Sequence, residues 1–144
     1  MKDKKKKWEK ASMAAHRTSR WAKIMTKWLI SRRHKNGVKW HVVNFIGSNK
    51  SESTGIVDLL AIRKDHRIKD SNIKRGDLFE IVLIQVKGGA APFPTEKDIL
   101  RLKKVSKYHR AKAIVLSEWK ARKRLQLYLL KQDRWKEIEA NEIF

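Results

Sequence analysis

Between residues 11 and 35, Trp21, Ile24, Met25, Trp28 and Leu29 recur at three- and four-residue spacing, with Arg20, Lys23, Lys27, Arg32 and Arg33 between them. That period predicts an amphipathic helix whose apolar stripe packs into a core. Asn36-Gly37 ends it and opens a turn. The pattern then changes period. Residues 38–46 (VKWHVVNFI) alternate and are rich in β-branched and aromatic side chains, which predicts a first strand. A small, polar loop follows at 47–54 (GSNKSEST), then a second strand at 55–63 (GIVDLLAIR) and a charged excursion at 65–77. Residues 78–87 (LFEIVLIQVK) are almost continuously apolar, the mark of a central strand covered on both faces.

After a crossing segment at 88–93 (GGAAPF), Thr95 and Asp98 stand three apart, the spacing of a capping box at a helix start. Ile99, Leu102 and Val105 form the buried stripe of that helix and leave Arg101, Lys103, Lys104 and Lys107 outside. Residues 111–116 read as a fourth strand, 120–124 as a basic turn and 125–130 as a fifth strand, while 135–144 is short and ambiguous. Helix, three strands, helix, two strands implies a crossover between the third and fourth strands. The expected class is α/β, a mixed central sheet of about five strands flanked by helices. The chain of 144 residues fits one domain, at 11–144, preceded by a basic flexible arm at 1–10 with four consecutive lysines.

Charge sharpens this picture. Lys and Arg number 36 against 15 Asp and Glu, a net +21, which attracts polyanions. The cations run through every segment and not only a tail, which favours a nucleic-acid surface over an anionic membrane. A generally basic protein kept soluble by its charge is the plain alternative. Candidate phosphate contacts are Arg20, Lys23, Lys27, Ser48, Lys50, Lys103, Lys104, Lys120, Arg122 and Lys123, with Trp119 beside the basic turn as a stacking candidate. There is no cysteine, so no disulfide or thiolate zinc site. His16, His34, His41, His66 and His109 show no metal-ligand spacing, and no nucleophile-elbow, P-loop or dinucleotide motif occurs. No apolar run reaches membrane-span length and no signal-peptide core is present, so a cytoplasmic protein with no membrane partner is expected.

One constellation carries chemistry. Asp58 lies among Ile56, Val57, Leu59 and Leu60, and Gln85 and Lys87 share one face of the next strand with Val86 opposite. An aspartate in an apolar strand is costly unless it is paired or binds a cation. Asp58, the Gln85 side-chain oxygen and the Val86 carbonyl form an oxygen set suited to Mg²⁺, with Mn²⁺ as an alternative. Lys87 would orient a water and offset charge on a phosphate, and Gly88 and Gly89 would let a substrate backbone approach. The structural alternative is that Asp58 caps a strand end and Lys87 reaches out at the sheet edge.

This arrangement resembles the PD-(D/E)XK nuclease superfamily, with its restriction-endonuclease-like fold. Asp58 matches the motif aspartate and Gln85-Val86-Lys87 the (E/D)xK element. The pattern is most similar to archaeal Holliday junction resolvase-type nucleases: a basic first helix, Gly47-Ser48 before the Asp58 strand, and a helix-strand unit after Lys87. The resemblance implies a Mg²⁺-dependent DNA endonuclease, often a homodimer, with Asp58, Gln85 and Lys87 catalytic. Gln85 stands where the pattern usually has an acid, as in certain transposon end-cleaving nucleases. A second acid, if used, would be Glu9 or Glu52. The competing readings are a non-catalytic nucleic-acid-binding protein that kept the fold, and an RNA-acting nuclease.

Overall fold

The computed structural model describes residues 2–35, 37–45, 55–67, 72–120 and 122–144. A long helix, α1 (Lys2–Ser31), comes first. A two-residue pair, β1 (His34–Lys35) and β2 (Val38–Lys39), follows around Gly37 at φ +75°. Six strands build the main sheet: β3 (His41–Asn44), β4 (Leu59–Asp65), β5 (Leu78–Gly88), β6 (Ala113–Trp119), β7 (Gln126–Lys131) and β8 (Arg134–Ile138). They lie side by side in chain order, antiparallel except for β5 and β6. That parallel pair requires a crossover, and α2 (Glu96–Tyr108) supplies it. The class is therefore mixed α/β, as the order of elements predicts.

The mixed sheet carries one strand beyond the five read from the sequence: residues 134–138 of the ambiguous tail pair with β7 as an edge strand. One expectation needs correction. Residues 38–46 do not form one strand: the chain breaks at Trp40, which is fully buried and meets Phe144 edge-on at 5.4 Å between ring centroids. Residues 2–10 are helical and run on into the rest of α1. No glycine or proline interrupts residues 2–31, and Asp3 in the first turn suits the positive end of the helix dipole.

The helix α1 also turns a different face to the sheet than its largest apolar residues suggest. Ala22, Thr26 and Ile30 are fully buried, whereas Trp21, Ile24 and Trp28 are about half exposed. Close approach to the sheet selects small side chains: the Thr26 hydroxyl meets that of Ser117 on β6 at 2.7 Å. The Arg32 guanidinium lies 3.9 Å from the centre of the outward Trp28 ring. Under α1, Ile30, Trp40, Leu59, Ala61, Val82, Ile84, Val115, Leu127 and Ile138 form the core. The helix α2 covers the other face, with Ile99 and Leu102 buried and its capping box between Thr95 and Asp98 formed as the sequence predicts.

At the start of β5, Glu80 sits on the α1 side of the sheet, bonded to Arg63 and within reach of Arg67 and Lys112. Burial pushes its carboxyl upward, but the Arg63 bond and the Lys112 and Arg63 charges outweigh it and hold Glu80 below its ordinary range. A carboxyl depressed in the folded state contributes stability at neutral pH that is lost as pH falls through the depressed value. Glu80→Gln is therefore expected to cost about 2 kcal/mol at pH 7. The gap to wild type should close as acid protonates the native carboxylate. Urea titrations at pH 7 and pH 3 read this, and an equal gap at both would count against the ionised network.

Candidate active site

The candidate site forms at the C-terminal end of β5, where its two neighbours bring different chemistry to the same place. On the β4 side, Leu59 stands across from Ile84, so Asp58, one residue earlier, comes level with Gln85. The half-buried Asp58 donates its own N–H to the Ile84 carbonyl at 3.0 Å, and its Oδ2 accepts from the Val86 N–H at 2.7 Å. The carboxylate thus takes a backbone hydrogen-bonding place at the end of the ladder, the strand-capping role weighed from sequence, and it is held there beside the Gln85–Lys87 segment.

On the β6 side the neighbour is a second charged residue inside an apolar strand. Glu118 is the register partner of Lys87 in the parallel ladder. Its Oε2 lies 2.6 Å from the Lys87 Nζ, with the two side chains only 8% and 6% exposed. The Lys87 ammonium also lies 3.4 Å from the Gly89 carbonyl and 5.3 Å from the Phe93 ring centre. Lys87 therefore does not reach into solvent at the sheet edge. Its desolvation is offset by an ion pair, as burial of an ammonium requires.

Sequence reading misses Glu118 because the fourth strand, read to end at Leu116, runs three residues further, to Trp119. The signal was present: a lone carboxylate among Ile114, Val115, Leu116 and Trp119 poses the same question as Asp58. Tyr128 on β7 was missed as well. Burial, then the negative charges of Glu118 and Glu137, push the Tyr128 hydroxyl upward, so it stays protonated beside those carboxylates.

Gln85, Val86, Lys87, Gly88 and Gly89 line a cavity of about 750 Å³, closed on one side by Ser12, Ala15 and Thr18 of α1 and on another by residues 90–95. Asp58 is not among the lining residues. Gly88 is needed where α1 passes, since a Cβ there would lie 3.0 Å from the Thr18 backbone.

The residues pass a test of fit for a hard cation in one respect. The Gln85 Oε1 is buried and has no hydrogen-bond partner, a state a cation would relieve. The donors at hand, the Asp58 carboxylate, the Gln85 Oε1 and the Val86 carbonyl, are all oxygens, as Mg²⁺ prefers. Among the described residues no cluster of three or more acidic or histidine side chains forms, so the set carries one negative charge.

The remaining expected residues are spread out. Glu9 is exposed on α1, and Glu52, Ser48 and Lys50 lie outside the described residues. Arg20, Lys23 and Lys27 are on α1, across the sheet from Lys103 and Lys104 on α2, and Lys103 is paired with Asp133 at 2.6 Å. Lys120, Arg122 and Lys123 follow β6 and so stand at the same end of the sheet as Lys87, with the Lys120 Nζ 3.7 Å from Glu118.

No protein-family model matches the chain. No curated protein matches it. Among solved structures it is similar to the 1.6 Å structure of Archaeoglobus fulgidus Hjc, a Holliday junction resolvase from an archaeal hyperthermophile. The TM-score is 0.44 and the identity 12%, over 82% of this chain and 81% of that one.

Proposed function

We propose that the chain is a metal-dependent endonuclease of the PD-(D/E)XK type acting on DNA, with Asp58, Gln85 and Lys87 as its reactive set. The observation that carries the reading is the unpartnered, buried Gln85 Oε1, which lines the same cavity as Lys87 on a strand end braced by Asp58. Asp58, the Gln85 Oε1 and the Val86 carbonyl would hold Mg²⁺ or Mn²⁺. A divalent cation there supplies charge neutralisation at a phosphate and an acidified water. The chain's own groups do the rest. Lys87 presents a fixed ammonium to a phosphate oxygen or a water in the cavity, and Gly88 and Gly89 leave room for a sugar-phosphate backbone. Lys120, Arg122 and Lys123 offer phosphate contacts at the same end of the sheet, and the net charge of +21 draws DNA in. A homodimer would place two such sites on one substrate, as cutting both strands requires.

A second reading has its own observation. Asp58 is engaged by a backbone N–H and Lys87 by Glu118, an arrangement that also serves a non-catalytic nucleic-acid-binding protein. Incubation with plasmid, linear duplex and four-way branched DNA, in Mg²⁺, Mn²⁺ or EDTA, separates the two. The nuclease reading expects cleavage that needs the metal and binding that does not. Binding without cleavage of any substrate would leave the non-catalytic reading standing, and cleavage confined to RNA would redirect the substrate class.

A further inference from the structure

We infer that Glu118 is a positioning residue for Lys87, the anchor that fixes the ammonium at the cavity against the Phe93 ring. The inference rests on the nuclease reading and deepens it. A lysine has a four-carbon stem with many rotamers, so an ammonium that must meet a substrate at one point needs outside restraint. At Lys87 that restraint is unusually complete. Glu118 holds the Nζ at 2.6 Å, and the Phe93 ring lies 5.3 Å away on another side. Phe93 in turn meets the Tyr128 ring edge-on at 5.3 Å. The restraint thus comes from β6 on one side and from the 88–95 segment, backed by β7, on the other.

Backbone geometry sets the anchor. Lys87 and Glu118 are direct partners in the parallel ladder, and Leu116 beside Gln85 pairs across to Tyr128, which puts Lys87, Glu118 and Tyr128 on one face. Lys87 lines the cavity and Glu118 does not, so the carboxylate acts through the lysine and not on a substrate. A pair serving stability alone has no need of the aromatic bracket or of a place two residues from Gln85. Desolvation makes buried ion pairs poor stabilisers compared with apolar residues of equal volume.

The test compares wild type with Glu118→Gln, which keeps the shape and a hydrogen-bond acceptor. Steady-state cleavage in Mg²⁺, DNA affinity in EDTA and thermal melting are measured together. The expected result is a folded variant whose kcat falls about tenfold or more while KM and DNA affinity stay within about twofold of wild type. Should Glu118→Gln melt too early to assay, Glu118→Asp keeps the charge but draws the carboxylate back by one methylene from the Lys87 Nζ, with an expected kcat loss of about two- to tenfold. Wild-type kcat in the folded variant overturns the inference, as does a rate loss matched by the loss of folded protein. Cleavage by wild type with an unaffected variant removes this inference alone. A wild type that cleaves nothing removes the nuclease reading and the inference with it.

Discussion

Asp58→Asn should lose metal-dependent cleavage by at least about 100-fold, since even outer partners of metal ligands commonly cost 10–100-fold. It should nevertheless melt close to wild type. The substitution is informative because Asp58 has two separable tasks. Its Oδ2 accepts the Val86 N–H, and the asparagine carbonyl can accept the same bond at the same length of side chain. What asparagine lacks is the negative charge, the only one among the proposed donors. If Asp58 merely caps the strand end, Asp58→Asn will cleave like wild type. If the carboxylate is a ligand, activity falls while the fold stays, and raising the Mg²⁺ concentration should recover part of it. Asp58→Ala is a poorer probe because it also orphans the Val86 N–H, at a cost of about 1–3 kcal/mol.

The largest stability effect is expected at the partner of Lys87. Glu118→Ala leaves a buried ammonium without its counter-charge and should lower the unfolding free energy by about 3–5 kcal/mol. For a domain whose total stability is typically about 5–15 kcal/mol, that is a large share. The double variant Lys87→Met/Glu118→Met should regain most of the loss, since it removes both charges and fills the space with apolar atoms. Urea unfolding of the three proteins reads the outcome. A single variant within about 1 kcal/mol of wild type would mean that water reaches the pair and that it is worth no more than a surface bridge.

Much of the architecture was legible because the period and the punctuation of the chain agree. The continuous apolar run of β5, the capping box of Thr95 and Asp98 and the apolar stretch of β6 each announce one element, and their order implies the crossover. Where the reading failed, local pattern and tertiary demand diverged. Strand β8 (RWKEI) is a polar edge strand, and an edge needs few apolar residues to be stable. In α1 both Trp21-Ile24-Trp28 and Ala22-Thr26-Ile30 have helical spacing, and bulk pointed to the wrong stripe. Contact with the sheet rewards thin side chains there.

The site was half legible for a similar reason. Asp58, Gln85 and Lys87 are found by asking why polar groups stand in apolar strands, and the structure brings them to one strand end. Glu118 comes from a strand that neighbours β5 only through the parallel crossover, and Tyr128 from the strand beyond it, a relation sequence spacing does not display. A fourth strand read three residues too short hides the carboxylate that Lys87 requires.

That crossover also fixes when the site can come into being during folding. Every seam of the main sheet joins strands adjacent in the chain, but the β5–β6 seam closes only after the α2 segment has looped across, the most expensive closure for chain entropy among those seams. A half-folded chain with the β4–β5 and β7–β8 hairpins formed would already hold Asp58 beside Gln85, yet Lys87 would swing free of Glu118. On the proposed nuclease reading, the Lys87 ammonium would be set in place only when that seam closes. Partly folded copies of so basic a chain would then attract polyanions before the full site is assembled.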